Sequence, residues 1–406
     1  MMGIGLSGMP GFLTRAAAMR RSNAPFQKTK TLVFIFQRGA MDGLMAVTPF
    51  TDPFLQQARP TLFMSAAKQA SGTGLIDLDG RFGLHPAFDP FSSLYKEGRL
   101  GIVHGMGSPN TTRSHFDAQD YMESGTPFSK GTASGWLNRA AASIGKRDSP
   151  FTAVSFTSAL PRSLYGDFPA LAISSLSDLS IHNGNTPAVA NLAAKSFEEL
   201  YDQTSSTLLN RNGQEGFEAM RILQKTDTRR YMPSNGARYP ASPLGNALKE
   251  IAQLIKLDVG LEVAFTESGG WDTHFNQGTE NGTFARNAKD LSESITAFWT
   301  DIGQWQDHVT LMTATEFGRT VKQNGTGGTD HGRASCCFIL GNDVRGGKVH
   351  GRVDALSIEN LADGRDLVVT TDFRSVFSEV AEKHLAMKDS SSLFPDWTGQ
   401  KIGVMG

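Results

Sequence analysis

The chain has 406 residues, with 39 Lys+Arg against 40 Asp+Glu and a net charge of −1 when His is neutral, so composition gives no bulk pull toward nucleic acid or an anionic membrane. A hydrophobic content of 39% with 43 glycines describes a globular chain rich in loops, not a disordered one. No apolar run in the body of the chain reaches bilayer-spanning length, and the length admits one large α/β domain or two ordinary ones.

Met1 to Met19 reads MMGIGLSGMPGFLTRAAAM, the apolar core and small-residue end of an export signal without its basic start, or else a frayed N-terminus. Residues 1–25 are assigned to that leader or tail and 26–406 to one α/β domain. Arg20 and Arg21 follow the apolar run, so they do not form a twin-arginine signal as written. Thr31 to Gln37 (TLVFIFQ) is continuously apolar and β-rich, as a strand buried on both faces should be. It runs into the turn Arg38-Gly39-Ala40-Met41-Asp42-Gly43. A helical segment precedes the next strand, Leu100 to His104, so strand, helix and strand predict a mostly parallel sheet with crossover helices on both faces.

The middle is helical and forms an insert at about 180–243. Thr186-Pro187 caps a helix whose Val189, Leu192, Phe197 and Leu200 mark one face. Lys225 to Pro243 is a polar Pro/Gly loop, too long for a plain connector, and is read as a surface insert or a lid. Leu244, Leu248, Ile251 and Ile255 form another stripe, leading to a strand over Gly260 to Thr266 and then Gly269-Gly270-Trp271-Asp272-Thr273-His274. The longest helix repeats Phe284, Ala288, Leu291, Ile295, Phe298 and Ile302 as core spacing. The strand Val309 to Thr315 ends at Glu316-Phe317-Gly318-Arg319, and a polar loop reaches Gly328-Thr329-Asp330-His331-Gly332. Cys336 and Cys337 are adjacent and read as small buried residues on a further strand.

Asp42, the Ser114 region, Asp272, His274, Glu316, Asp330 and His331 all fall just past predicted strand ends. In an open parallel sheet those ends share one edge, where ligands bind. Asp272/His274 and Asp330/His331 pair a carboxylate with an imidazole, a donor set for zinc, manganese or a similar divalent ion. Alone, each pair is equally a turn whose aspartate caps a backbone amide. Ser114, with Asp117 three residues on, reads as a helix N-cap. It reads also as a nucleophile at a positive helix end, with Thr111 and Thr112 as rivals. Arg113 is a candidate to hold a substrate oxyanion, and Arg319 is an anion clamp or a partner of Glu316. His85, His182, His308 and His384 have no carboxylate companion and are expected to be structural or exposed. His350 is an outside candidate as an extra ligand.

Several stretches resemble the signatures of domain-of-unknown-function family 1501, in the family's order. They are Arg38-Gly39-Ala40-Met41-Asp42-Gly43-Leu44, Ser114-His115-Phe116-Asp117-Ala118-Gln119 running on to Met122-Glu123-Ser124-Gly125, Gly270-Trp271-Asp272-Thr273-His274, Glu316-Phe317-Gly318-Arg319-Thr320 and Gly328-Thr329-Asp330-His331-Gly332. Members of the family are exported bacterial proteins, commonly with a twin-arginine signal, grouped with the alkaline phosphatase and sulfatase superfamily. The resemblance implies an alkaline-phosphatase-like doubly wound sheet, two metals, and a Ser, Thr or Cys nucleophile. Asp42 matches the first-strand ligand, Ser114 the nucleophile, and Asp272 and His274 the ligands of the other metal. Asp330-His331 is the superfamily's Asp-His pair with His350 as last ligand, or Glu316-Phe317 fills that slot and His331 is the last histidine; the second alternative is preferred because Glu316 directly ends a strand. Phe317 in a ligand slot, and Asp-x-His in place of a longer spacing, depart from the superfamily pattern.

The expectation is an exported, periplasmic or secreted, metal-dependent hydrolase of small-molecule or glycan phosphate or sulfate esters. Zinc is the first choice of ion, with manganese or calcium as alternatives. The contrasting expectation is a non-catalytic exported binding protein that retains the fold around a degenerate site.

Overall fold

The computed structural model describes residues 29–66, 74–145, 149–179, 219, 231–387 and 390–406. The leader-like stretch, the helix expected after Thr186 and most of the insert at 180–243 lie outside the described residues. The expected apolar run Thr31–Gln37 is strand β1, and every one of its seven residues is buried. It lies inside a nine-stranded sheet. The other strands are β2 (Leu100–Gly107), β3 (Ala153–Phe156), β4 (Leu171–Ile173), β5 (Val263–Ser268), β6 (Val309–Thr315), β7 (Ser335–Leu340), β8 (Val349–His350) and β9 (Thr371–Asp372). The order is β8-β2-β7-β6-β1-β5-β3-β4, with β9 also on β2. β1 is parallel to β5 and β6 on either side, and β3 is parallel to β4 and β5.

One strand runs the other way. β7 is antiparallel to both β2 and β6. The chain leaves β6 at Thr315 and returns at Ser335 through a loop with no crossover helix, so it can only come back alongside in reverse. The strand expected from Gly260 starts three residues later, because Gly260 takes a left-handed φ of +85° and ends the preceding turn.

The alternation along β1 separates two cores. Val33 and Ile35 pack with Leu248, Ile251, Phe284, Leu291 and Ile295, from helices α3 (Pro243–Leu257) and α4 (Thr283–Ile302). Leu32, Phe34 and Phe36 pack with Trp136, Leu137, Phe373 and Phe377, from α2 (Trp136–Ile144) and α5 (Phe373–His384). Side chains of alternating strand residues face opposite sides, so the sheet is covered by helices on both faces. This is the doubly wound, mostly parallel α/β architecture expected from the sequence. Cys336 and Cys337 divide between the same two cores, both fully buried and unpaired.

Because β1, β2, β5 and β6 are mutually parallel, the segments after Gln37, Gly107, Ser268 and Thr315 emerge at one edge. Helix α1 (His115–Ser124) begins there after the loop that leaves β2. The β1 and β5 turns touch: Gly39 has φ +113°, and a Cβ on it would stand 2.5 Å from the backbone nitrogen of Asp272. Only glycine allows that approach.

Candidate metal centre

Three imidazoles meet at this edge. Nε2 of His331 lies 3.0 Å from Nε2 of His115 and 2.9 Å from Nε2 of His274. The Asp272 carboxylate reaches all three rings, with Oδ1 3.0 Å from His274 Nε2 and 3.3 Å from His331 Nε2, and Oδ2 3.6 Å from His115 Nε2. One donor atom each from His115, Asp272 and His331 lies within 4.8 Å of the others. His274 adjoins two members of that group, His331 and Asp272. Each ring is a quarter to a third exposed and Asp272 is 44% exposed, so the centre is open to solvent.

The opposite nitrogen of every ring is committed. His115 Nδ1 donates to Glu316 Oε1 (2.7 Å), His274 Nδ1 to Asp330 Oδ1 (2.9 Å), and His331 Nδ1 to the carbonyl of Arg113 (2.8 Å). Those acceptors place the proton of a neutral imidazole on Nδ1 and leave Nε2 as a lone-pair donor. Two such lone pairs facing each other at 3 Å repel unless a proton or a metal cation lies between them. The observed contacts are close to the edge of about 3.3 Å expected between ligand atoms each about 2.0 Å from a tetrahedral zinc. A ligand histidine whose other nitrogen is held by a carboxylate or carbonyl is the usual support of such a site. The residues therefore fit a divalent metal ion.

The surrounding charges tune the donors. Hydrogen bonding to Glu316 raises the His115 pKa above its ordinary value, outweighing burial. Burial lowers that of His331, with the His115 charge acting in the same direction. Burial alone pushes Asp272 up, but the hydrogen bond and charge of Arg319 override it and hold the carboxyl below its usual range. Glu316 is likewise kept below its usual range, its burial outweighed by His115 and Gln119.

The sequence-derived candidates divide into three groups. Asp272, His274 and His331 present donor atoms to the centre. Glu316 and Asp330 stand one layer behind, each orienting a histidine. Asp42 is elsewhere: it is 1% exposed, and Arg59 Nη1 and Nη2 donate to its two oxygens (2.8 and 3.1 Å). Gln277 Nε2 also donates to it, at 2.7 Å. Gln277 Oε1 in turn accepts from the Thr273 and Thr329 hydroxyls, so Asp42 supports the two loops that carry the centre from beneath. Arg319 is buried, donating to Asp272 Oδ1 at 2.7 Å and to the hydroxyl and carbonyl of Thr329; it pairs with Asp272 and not with Glu316. Arg113 donates to Asp366 and Asp363. Both guanidiniums are thus engaged by the protein. His350 donates to the carbonyl of Arg345 and lies apart from the cluster.

Ser114 is exposed at the N-cap position of α1, and its hydroxyl caps no backbone amide. It stands between Arg113, whose carbonyl holds His331, and His115, a ligand candidate that the sequence reasoning did not single out. The overlooked signal is His115-x-x-x-Gln119, four residues apart on one helical face, where both side chains donate to Glu316 Oε1.

A family model described as Protein of unknown function (DUF1501) matches residues 99–394. No curated protein matches the sequence. Similar solved structures include the zinc complex of the C-terminal periplasmic domain of EcEptC from Escherichia coli, at 8% identity and TM-score 0.35, covering 78% of this chain and 73% of that one. The alkaline phosphatase of the Antarctic bacterium TAB5 is similar at 11% identity and TM-score 0.30, covering 78% and 93%. The PsFucS1 sulfatase of Pseudoalteromonas sp. is similar at 12% identity and TM-score 0.38, covering 98% and 75%.

Proposed function

This chain belongs to the DUF1501 family, and from the donor set that lies within the matched region we propose that it is a metal-dependent hydrolase of phosphate or sulfate esters. The observation that carries the reading is the convergence of three histidine Nε2 atoms on the Asp272 carboxylate. His115, Asp272, His274 and His331 would hold one ion. Zinc suits a set of three imidazoles and one carboxylate, and manganese is the alternative; calcium, which takes oxygen ligands, does not suit it. A bound divalent ion supplies Lewis acidity and positive charge next to an ester oxygen.

The protein's own groups have separate tasks. Ser114 is the proposed nucleophile: its oxygen attacks phosphorus or sulfur, the ester oxygen leaves with the proton the hydroxyl gives up, and water then releases the acid from the serine. The N-terminal end of α1 carries the positive pole of the helix dipole, which favours an anionic group beside Ser114. Arg319 fixes Asp272, and Glu316 and Asp330 fix two of the rings. With Asp42 bonded to Arg59 and Gln277, the reading is of one ion, not two. Export to the periplasm or the medium belongs to the same reading and rests on the leader-like Met1–Met19; no helix among the described residues is long and apolar enough to cross a membrane.

The test is metal content by mass spectrometry of protein purified without chelator, joined to turnover of nitrophenyl phosphate and nitrophenyl sulfate. One equivalent that is lost in His331→Ala, together with turnover lost in Ser114→Ala, is the expected result. Four protein ligands also describe a closed structural metal site, and this favours a second reading, a non-catalytic binding protein. Absence of turnover of either ester, with or without bound metal, would select that reading.

A further inference from the structure

The three imidazoles at the centre differ in what holds their Nδ1. His115 and His274 donate to the carboxylates of Glu316 and Asp330, but His331 donates to a peptide carbonyl, that of Arg113. A carbonyl is a neutral acceptor, and it orients a ring only as well as its own peptide is held. Behind that peptide lies a wholly buried carboxylate, Asp366.

Asp366 Oδ2 accepts from Arg113 Nε at 2.9 Å and from Arg113 Nη2, and its Oδ1 accepts from Arg365 Nε at 3.1 Å. Arg365 Nη2 then donates to the His331 carbonyl at 2.9 Å. These contacts close a circuit. His331 Nδ1 leads to the Arg113 carbonyl, the Arg113 guanidinium to Asp366, Asp366 to Arg365, and Arg365 back to the main chain of His331. The ring and the backbone of one ligand candidate are therefore held by two arginines that share one carboxylate. Backbone pairing runs the same way: Asp366 bridges Thr320, and its neighbour Arg319 bridges His331. Asp363, the other acidic partner of Arg113, is 64% exposed, where water leaves an ion pair little strength. Without Asp366 the two guanidiniums would lose their common counter-charge, and Arg365, with its side chain 44% exposed, would be free to turn to solvent.

We propose that Asp366 is a positioning residue of the centre: through Arg113 and Arg365 it holds His331 in the orientation that presents Nε2 to a divalent ion. The inference rests on the metal-centre part of the reading above and is independent of which ester is cleaved. It is tested by the zinc affinity of the full chain, in competition with a chromogenic chelator, for Asp366→Asn, Arg365→Ala and their combination. Asp366→Asn keeps the shape and removes the charge, and affinity is expected to fall about tenfold, the lower end of the range for outer-layer groups. Arg365→Ala alone lowers affinity by less, because Arg113 stays on Asp366. It adds little to Asp366→Asn, because both substitutions break the same circuit. Asp42→Asn removes another almost wholly buried carboxylate and is the control for lost stability, with affinity expected at the parent's value. The visible bands of the cobalt-loaded chain, which report ligand geometry, shift in Asp366→Asn and not in Asp42→Asn. Parental affinity in Asp366→Asn, an equal loss in Asp42→Asn, or losses that multiply in the combination overturn the positioning role and leave the metal centre standing. Should Asp366→Asn fail to fold, Arg365→Ala decides: reduced affinity upholds the circuit and parental affinity overturns it. A parent chain that binds no zinc overturns the metal-centre reading, and this inference with it.

Discussion

Oε1 of Glu316 accepts from the Gly39 amide, His115 Nδ1 and Gln119 Nε2, and Oε2 accepts from the Thr315 hydroxyl. Its lone pairs are spent inside the protein, so it acts on the centre by making the His115 ring more electron-rich and by holding it still. Glu316→Gln keeps the shape and removes the charge. Outer-layer substitutions of this kind cost about 10–100-fold in metal affinity, and a loss toward the lower end is expected here because glutamine can still accept one bond. Competition with a chromogenic zinc chelator measures it, and an affinity equal to the parent's would show that Glu316 does not support the metal. Asp272, His274 and Glu316 could be gathered from sequence because each follows a strand end, whereas Asp330 and His331 lie deep in the loop that precedes β7, so the expectation that they too sit just past a strand end does not hold. His115 could not be gathered, since its partner Glu316 is 201 residues away. Asp42 also lies just past β1, and there Arg59, in the chain segment that follows, holds both of its oxygens.

The element that brings His331 to the centre is the loop between β6 and β7. It folds back on itself through a bridge between Arg319 and His331, and Arg59 holds its base by donating to the carbonyls of Thr320 and Val321. Arg59 and Asp42 are each almost wholly buried, so removing one partner leaves the other charge stranded. Arg59→Met is expected to cost about 3–5 kcal/mol of stability, as breaking a buried pair does, read from the shift in urea midpoint. Asp42→Asn should also destabilise, yet retain bound zinc, since none of the contacts to the centre comes from Asp42. Loss of the metal with an unshifted urea midpoint in Asp42→Asn would instead make Asp42 a ligand. At this scale β1 and β6 could be read residue for residue from uninterrupted apolar runs. The reversed direction of β7 could not, because an apolar strand pattern carries no information about its neighbour's direction. What sets that direction is the missing helix in the connection.

Across the whole molecule, the two cores that sandwich the sheet enclose histidines outside the candidate metal centre. His85 Nδ1 accepts from the Ala87 amide while Nε2 donates to the Thr279 carbonyl. His104 accepts from Gly105 N and donates to the Val47 carbonyl. His384 donates to the carbonyl of Thr31, the first residue of β1. Burial is the largest influence on all three and pushes each pKa down to about 4. Nearby charges do not reverse it: Glu280 and Asp42 pull His85 upward, Asp42 opposes Arg81 at His104, and Asp343 opposes Lys30 and His308 at His384. The sign follows from proton counting. Between about pH 6.5 and pH 4 the unfolded chain protonates these rings and the folded chain does not, so the unfolded state binds more protons and stability falls as pH drops through that window. Above it the contribution is complete. A shift of this size corresponds to at most about 3 kcal/mol per ring. Urea midpoints measured at pH 7.5 and pH 5 in the presence of EDTA, which keeps metal release out of the comparison, should therefore differ clearly. His384→Gln, whose side-chain amide can still donate to Thr31, should reduce that difference by about a third. Equal midpoints at the two pH values, or a difference untouched by the substitution, would mean that these rings enter the folded state without losing access to protons.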